Sequence, residues 1–219
     1  MPTTKRLLTS VNSDSGKGRR YVELCRAQYD GVGLDEDRAQ FLNENKAFPA
    51  ALRLLIEKYS MPVQAPKGGR IHVLRVPVNP SREWQEAINA AGPNTGSDWA
   101  VRKVGDQYPV QEGAIEDREI ILVNFGKTIP NVQHALDWAE PFGLQPEGPR
   151  SIFAIGEHKP QLHKELEVSA MAVISTVECS FEGSRSLPHV WWYEAERDAR
   201  LGWFGDGFDD YYWFAFSRK

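Results

Sequence analysis

Residues 118–126 read REIILVNFG and have a continuous apolar centre. A strand with apolar side chains on both faces is typical of the interior of a sheet that is covered on both sides. We therefore predict a central strand here. Immediately downstream, Pro130 begins a stretch whose apolar residues recur at helical spacing, and Gly143 ends it, as expected for a helix.

The segment before this strand repeats the same arrangement. Residues 70–77 (RIHVLRVP) alternate in polarity and predict another strand. Ser81 is the expected N-cap of a helix that runs to about residue 91, where Gly92-Pro93 would end it. Residues 94–116 carry no clear period, and we expect a loop with one short strand near residues 100–104.

After a helix predicted for about residues 149–158, with a further turn to Leu166, the period of the pattern falls to two. Strands are predicted for residues 171–178, 189–194, 201–204 and 210–217, which are rich in β-branched or aromatic side chains. Asp206-Gly207 is a hairpin-turn signal between the last two. The order of elements predicts an α+β (mixed α/β) fold: a mixed sheet with helices on at least one face and a C-terminal antiparallel aromatic-rich hairpin.

The chain as a whole is expected to have four parts. Residues 1–18 are rich in Ser, Thr, Lys and Gly and predict a disordered tail. Residues 19–60 have helical periodicity and predict three short helices, the first ending near Asp30-Gly31 and the third with an apolar stripe along residues 48–59. Residues 61–69 (MPVQAPKGG) predict a linker, and residues 70–219 the mixed α/β domain.

Composition excludes several classes of function. The formal net charge of −4 argues against a general affinity for nucleic acid or anionic membranes. No apolar run reaches 18 residues, and the first 20 residues carry no secretory signal, so we expect a cytoplasmic protein. Cys25 and Cys179, the two cysteines, are far apart in sequence, and the simplest interpretation is two unpaired thiols.

Familiar cofactor motifs are incomplete. Gly126-Lys127-Thr128 resembles the end of a phosphate-binding P-loop, but Ile121 stands where that loop needs its first glycine. No G-x-G-x-x-G follows a predicted strand, and no G-x-S-x-G is present. We therefore expect no cofactor.

Two catalytic alternatives remain open, either of which would make the protein a hydrolase or a transferase. Cys179 could act as a thiolate nucleophile if an imidazole lay within hydrogen-bond reach. His158, His163 and Glu165 form a cluster of metal-type ligands, but histidines five residues apart do not share a helical face. We favour the interpretation that Cys179 packs as a small apolar residue and that His158, His163 and Glu165 are surface side chains. We therefore expect neither a catalytic residue nor a metal site.

Aromatic residues are concentrated near the C-terminus: 11 of the 24 lie between Trp191 and Phe216. Such side chains are enriched at binding hot spots and can stack on a sugar, a base or a peptide aromatic. The competing interpretation is a strand packed in the core. We expect a non-enzymatic binding module whose aromatic face takes a protein or small-molecule partner, while nearby aspartates disfavour nucleic acid. The expected binding residues are Trp203, Phe208, Tyr211 and Trp213.

Five segments in this order resemble an uncharacterised family of small bacterial proteins known from genomes of uncultivated candidate phyla. They are RVPVNPSREW (75–84), REIILVNFGKTI (118–129), GLQP (143–146), FAIGEHKPQLHKEL (153–166) and RLGWFGDGFDDYYWFAFSRK (200–219). The resemblance covers about residues 70–219 and implies no activity, cofactor or catalytic residue. Members of that family often lack a histidine at the positions of His158 and His163, which disfavours a Cys–His or metal mechanism.

Overall fold

The computed structural model describes residues 16–60, 63–92 and 98–218. The chain divides into two compact units, Met1–Glu57 and Lys58–Lys219. The predicted tail, residues 1–18, lies outside the described residues except for 16–18, which begin the first helix.

The N-terminal unit is helical, as its periodicity predicts. It contains α1 (Gly16–Val32), α2 (Glu36–Glu44) and α3 (Phe48–Ser60). α1 continues past Gly31, and the glycine that follows it is Gly33, in the left-handed conformation (φ 61°) that favours this residue. Asp35 caps α2 by accepting a hydrogen bond from the backbone N–H of Arg38 (2.8 Å). The apolar stripe of α3 remains exposed, at 37–52% for its large side chains Phe48, Leu52, Leu55 and Ile56.

The second unit is built on one mixed sheet, which contains eight strands in the described residues. They are β1 (Arg70–Val78), β2 (Glu116–Asn124), β3 (Gln145–Pro146), β4 (Ala170–Ile174), β5 (Cys179–Phe181), β6 (Ser184–Tyr193), β7 (Glu196–Trp203) and β8 (Tyr212–Ser217). The main path runs β1-β2-β8-β4-β6, while β5 and β7 also pair with β6 and β3 pairs with the end of β8. The predicted α+β class with a mixed sheet is confirmed.

Helices cover both faces of this sheet. One face, called here the α7 face, packs against α4 (Trp84–Ala91), α5 (Trp99–Lys103), α7 (Pro149–His158) and α8 (Leu162–Glu165). The opposite face, the α6 face, packs against α6 (Val132–Ala139) and against loop residues such as Phe204 and Phe208. The two apolar layers explain why the central strand β2 has a continuous run of buried side chains from Ile120 to Asn124.

The predicted C-terminal hairpin is wrong. β8 does not pair with β7; it lies between β2, to which it is antiparallel, and β4, to which it is parallel. The intervening chain instead forms a bridge between Phe208 and Ile129, whose backbone groups exchange hydrogen bonds of 2.8 and 2.9 Å. The physical reason is that β8 carries large apolar side chains on both faces, and only an interior position buries both sets.

Two local predictions also need correction. Residues 99–103 form the helix α5 rather than a strand, because Asp98 caps it through the N–H of Ala100 (2.8 Å) and Val101 is buried. Ser81 is not a helix cap: its hydroxyl and its backbone N–H both donate to the side chain of Asn79, and α4 begins three residues later.

The strand directions place three carboxyl ends at one edge. β1 and β8 are both antiparallel to β2, and β4 is parallel to β8, so β1, β8 and β4 all run the same way. In open sheets with parallel strands, ligands bind in the crevice outside such ends. No helix in the described part of the chain has both the length and the apolar character needed to cross a membrane.

Candidate functional site

A cavity of about 740 Å³ lies at the edge where β1, β4 and β8 end. We call it the carboxyl-edge cavity. Its lining includes residues at or just after these strand ends, among them Val78, Val177 and Ser217. The first turn of α7 and the first residues of β2 complete it. Its size falls in the range of roughly 300–1,000 Å³ that is usual for small-molecule sites.

Glu147, between β3 and α7, is a buried acid in the lining of this cavity. Its backbone N–H donates to the hydroxyl of Thr176 (2.9 Å), and its carbonyl accepts from the N–H of Thr176 (3.1 Å). The Thr176 hydroxyl donates in turn to the carbonyl of Ala215 (2.7 Å). These bonds tie the backbone of Glu147 to Thr176, just after β4, and through Thr176 to Ala215 of β8, so the position of residue 147 is fixed.

The two oxygens of the Glu147 carboxylate differ in their surroundings. Oε1 accepts from the Ser151 hydroxyl (2.6 Å) and from Nη1 of Arg118 (3.1 Å). No hydrogen bond from the described residues reaches Oε2, and this atom is not sealed inside the protein. One oxygen therefore anchors the group, and the other is left to accept a hydrogen bond from a bound molecule.

Arg118 is shared between two acids. Its Nη2 donates to Glu116 (2.8 Å), and its Nη1 donates to Glu147. Hydrogen bonding to Glu116 and the charge of Glu147 raise the pKa of Arg118 against the cost of desolvation. Within this group of three side chains, the carboxylates exceed the guanidinium by one negative charge, and Asp117 and Glu119 are further acids in the lining.

Arg150 supplies positive charge in the first turn of α7. Its guanidinium donates to two backbone carbonyls, those of Arg82 and of Tyr108 (3.0 Å to the latter). No carboxylate oxygen of the described residues lies within 4 Å of it. Burial lowers the pKa of Arg150, which shows that the charged form pays a desolvation cost that an anion in the cavity would offset.

Another wall of the cavity is the loop that contains Gln107 and Tyr108, which is held by contacts with α4 and with residues 177–180. Tyr108 stacks on Trp84 with ring centroids 5.0 Å apart, and its hydroxyl donates to the carbonyl of Val177 (3.0 Å). Gln107 exchanges two hydrogen bonds of 2.7 Å with the backbone of Ser180. The cavity therefore has a preformed wall, which lowers the entropy cost of binding.

The structure separates the four aromatic residues expected to bind. Phe208 and Trp213 are 3% and 1% exposed and belong to the core. Trp203 is 47% exposed and lies opposite Ser186, on the α7 face of the sheet. Tyr211 is half-buried and packs against Trp191 (centroids 5.1 Å apart), whose side chain lies on the α6 side. These residues do not form one binding surface, because alternate residues of a strand point to opposite faces.

Cys179 has the environment of a packing residue. It is buried, and its thiol donates to the carbonyl of Ser186 (3.5 Å). Burial raises the pKa of the Cys179 thiol, whereas a cysteine nucleophile needs a lowered pKa to form its thiolate at neutral pH.

His158, His163 and Glu165 are placed in three different environments. His163 is buried and its pKa is lowered by burial, while Glu165 is exposed. His158 is partly exposed, with Nε2 3.6 Å from the Glu157 carboxylate. Throughout residues 16–60, 63–92 and 98–218, no group of three or more His, Cys, Asp or Glu side chains is placed to hold a metal ion.

The residues that define the cavity were not found from the sequence. Glu147-Gly148-Pro149 does show an acid just before a helix start, where the helix dipole favours negative charge. Nothing in the sequence, however, distinguishes the buried Glu147 from an exposed acid at the same position. The pairing with Arg118 depends on a contact between residues 29 positions apart.

No protein-family model matches the chain, and neither does a curated protein or a solved structure. The resemblance to the bacterial family remains a prediction.

Proposed function

We propose that the second unit is a cytoplasmic binding module for a small polar molecule and that the carboxyl-edge cavity is its site. The observation that carries this proposal is the Glu147 carboxylate, which is buried, fixed through Oε1, and leaves Oε2 without a hydrogen bond from the described residues. Burying a carboxylate costs free energy unless it is paired and hydrogen-bonded. A ligand that donates to Oε2 completes its pairing.

The position of the cavity supports the same function. It lies outside the carboxyl ends of strands that run in one direction, beside the first turn of α7. Its lining also includes an acidic and a basic side chain, Glu147 and Arg150, which come from one short segment of the chain. The aromatic residues of β8 then serve as the core on which this site is built, rather than as the site.

A non-enzymatic role fits the chemistry better than a hydrolase or transferase that uses Cys179 or the His158/His163/Glu165 group. The thiol of Cys179 has a raised pKa, and the two histidines do not converge with Glu165 on one centre. The charged lining of the cavity supports a role in binding a small molecule. Neither Cys179 nor the two histidines have the surroundings of the activated nucleophile that a hydrolase or transferase needs.

A thermal-shift screen against a library of small polar metabolites tests the proposal. We expect at least one compound to raise the melting temperature of the wild-type protein, because a ligand that binds only the folded state stabilises it. Glu147→Gln keeps the shape of the side chain but replaces an acceptor oxygen with an amide, and should abolish the shift. The matched control is Glu196→Gln on β7, an exposed acid outside the cavity lining. Equal shifts in all three proteins would contradict the proposal.

A second candidate function is self-recognition through the exposed part of β7. Trp203 is the largest apolar side chain exposed on that strand, and large aromatic residues are enriched at interface hot spots. Sedimentation equilibrium of the wild type and of Trp203→Ser tests it. A wild-type dimer that the substitution converts to monomer would support this function, and a monomer in both would contradict it.

A further inference from the structure

We propose that the ligand of the carboxyl-edge cavity is a small zwitterion, an amino acid whose ammonium group donates to Glu147 and whose carboxylate pairs with Arg150. This inference rests on the proposed function and adds the class of ligand to it.

Glu147 and its neighbours form the acidic part of the carboxyl-edge cavity, to which the ammonium group of the ligand would bind. Arg118 is divided between Glu116 and Glu147, so these three groups leave a net negative charge beside the open Oε2 atom. A group that donates hydrogen bonds and carries positive charge fits this place. A divalent metal ion fits it poorly, because the described residues supply no cluster of three or more metal-type ligands.

The basic end is set by Arg150. Its hydrogen bonds go to two neutral carbonyls, which position the guanidinium without neutralising its charge. Arg150 lies in the first turn of the ten-residue helix α7, which has no side-chain cap at its start. Arg218, which follows β8, is a further cation in the lining.

The acidic and the basic side chain line the same cavity. Glu147 and Arg150 are three residues apart, so their backbones are separated by at most about 10 Å. A ligand with one charge only would pair with either the Glu147 carboxylate or the Arg150 guanidinium, but not with both. An amino acid provides both partners. Its side chain would lie beside neutral polar residues of the lining, such as Gln111 and Gln145.

Calorimetric titration of the wild-type protein with the twenty amino acids is the direct test. For the tightest binder, the N-acetyl derivative removes the ammonium charge, and the C-terminal amide removes the carboxylate. We expect each change to weaken binding at least tenfold. These comparisons use the unaltered protein, so they do not depend on whether a variant folds.

Variants then assign each end. In Glu147→Gln, the free amino acid should bind no more tightly than its N-acetyl derivative, since the ammonium group has lost its partner. In Arg150→Gln, amidation should no longer weaken binding, and Arg150→Lys should restore part of the difference. Glu196→Gln should behave as the wild type. Thermal unfolding of each variant shows whether it is folded.

The outcomes separate this inference from the proposed function. If no amino acid binds but another polar compound gives a shift that Glu147→Gln abolishes, the cavity is a binding site and the zwitterion inference is wrong. If an amino acid binds with equal strength before and after N-acetylation, the assigned role of Glu147 is wrong. If no compound of any class binds, both the proposed function and this inference fail.

Discussion

Single side chains of the cavity contribute to stability as well as to binding. Glu147→Ala removes the acceptor used by Ser151 and Arg118 and leaves the buried Ser151 hydroxyl without its partner. Because hydrogen bonds to a charged group contribute roughly 1.5–3 kcal/mol each, we expect a loss of about 2 kcal/mol in the free energy of unfolding. Glu147→Gln, which keeps an acceptor oxygen, should lose less. Urea denaturation measures both, and equal losses would contradict the assigned hydrogen bonds.

His189 on β6 is a second side chain with a testable effect. It is buried, its Nδ1 has no hydrogen-bond partner in the described structure, and it lies near Asp98, Asp198, Arg200 and Tyr212. Burial lowers the pKa of His189 from 6.5 to about 4, so the folded protein holds it neutral where the unfolded chain protonates it.

The pH dependence follows from this difference. The contribution of His189 is fully present above pH 6.5 and is lost as the pH falls toward 4, because the unfolded chain binds a proton that the folded protein does not. Over that interval we expect about 3 kcal/mol less stability from this residue. His189→Gln removes the titrating group, so its unfolding free energy should fall less steeply between pH 6.5 and 4. Parallel curves for the two proteins would show that His189 titrates normally when folded.

At the scale of elements, helix α7 shows how packing overrides helix propensity. Gly156 lies inside α7, where a Cβ atom would come within 2.4 Å of the carbonyl oxygen of Ala91 at the end of α4. In an exposed helix, replacing glycine by alanine stabilises by roughly 1 kcal/mol. Here the backbone of α4 occupies the space, so the helices must move apart.

We therefore expect opposite signs for two matched substitutions. Gly156→Ala should destabilise the protein by about 1–3 kcal/mol, which is typical of overpacking. Gly31→Ala in α1, where nothing lies within 4 Å of the added Cβ, should be neutral or stabilising. Denaturant unfolding of the two variants checks this, and a stabilised Gly156→Ala would show that α4 and α7 are not in close contact.

The sequence predicts a helix or strand correctly where one hydrophobic period dominates the segment. It fails where contacts between distant residues determine which strands pair. The strands of residues 70–77 and 118–126 and the helix of residues 149–158 were all correct, because burial produces their patterns directly. Asp206-Gly207 is typical of a hairpin turn, but the residues of a turn do not determine which strand the following segment pairs with. The insertion of β8 between β2 and β4 follows from the need to bury both of its faces, and this depends on the whole sheet.

For the whole molecule, burial differs strongly between the two units. None of the residues of α2 is buried, and the large apolar side chains of α3 are at least a third exposed. By contrast, β2 and β8 have apolar side chains buried on both faces. Local opening costs least where few apolar contacts are lost. In hydrogen exchange, we expect the amides of α1–α3 to exchange much faster than those of β2 and β8. Equal protection in both units would contradict the exposure of these helices.

The residues that line the carboxyl-edge cavity could not be predicted from the sequence. Its charged residues come from β2, from the segment between β3 and the first turn of α7, and from the residue after β8, which meet only because β1, β4 and β8 share a direction. The aromatic density near the C-terminus was conspicuous, yet it marks mainly the core. The side chains to which we assign a binding role in our proposal, Glu147 and Arg150, are ordinary charged residues whose significance depends on burial and on their partners.

We propose above that the carboxyl-edge cavity binds a small molecule through Glu147. The most direct measurement is an NMR titration of the isotope-labelled protein with the tightest compound from the screen. We expect the largest shift changes in the backbone amides of Glu147, Arg150 and Ser151 and in those of Thr176 and Val177, and no such changes in Glu147→Gln. Shift changes that centre on Trp203 instead, or that persist unchanged in Glu147→Gln, would contradict this proposal.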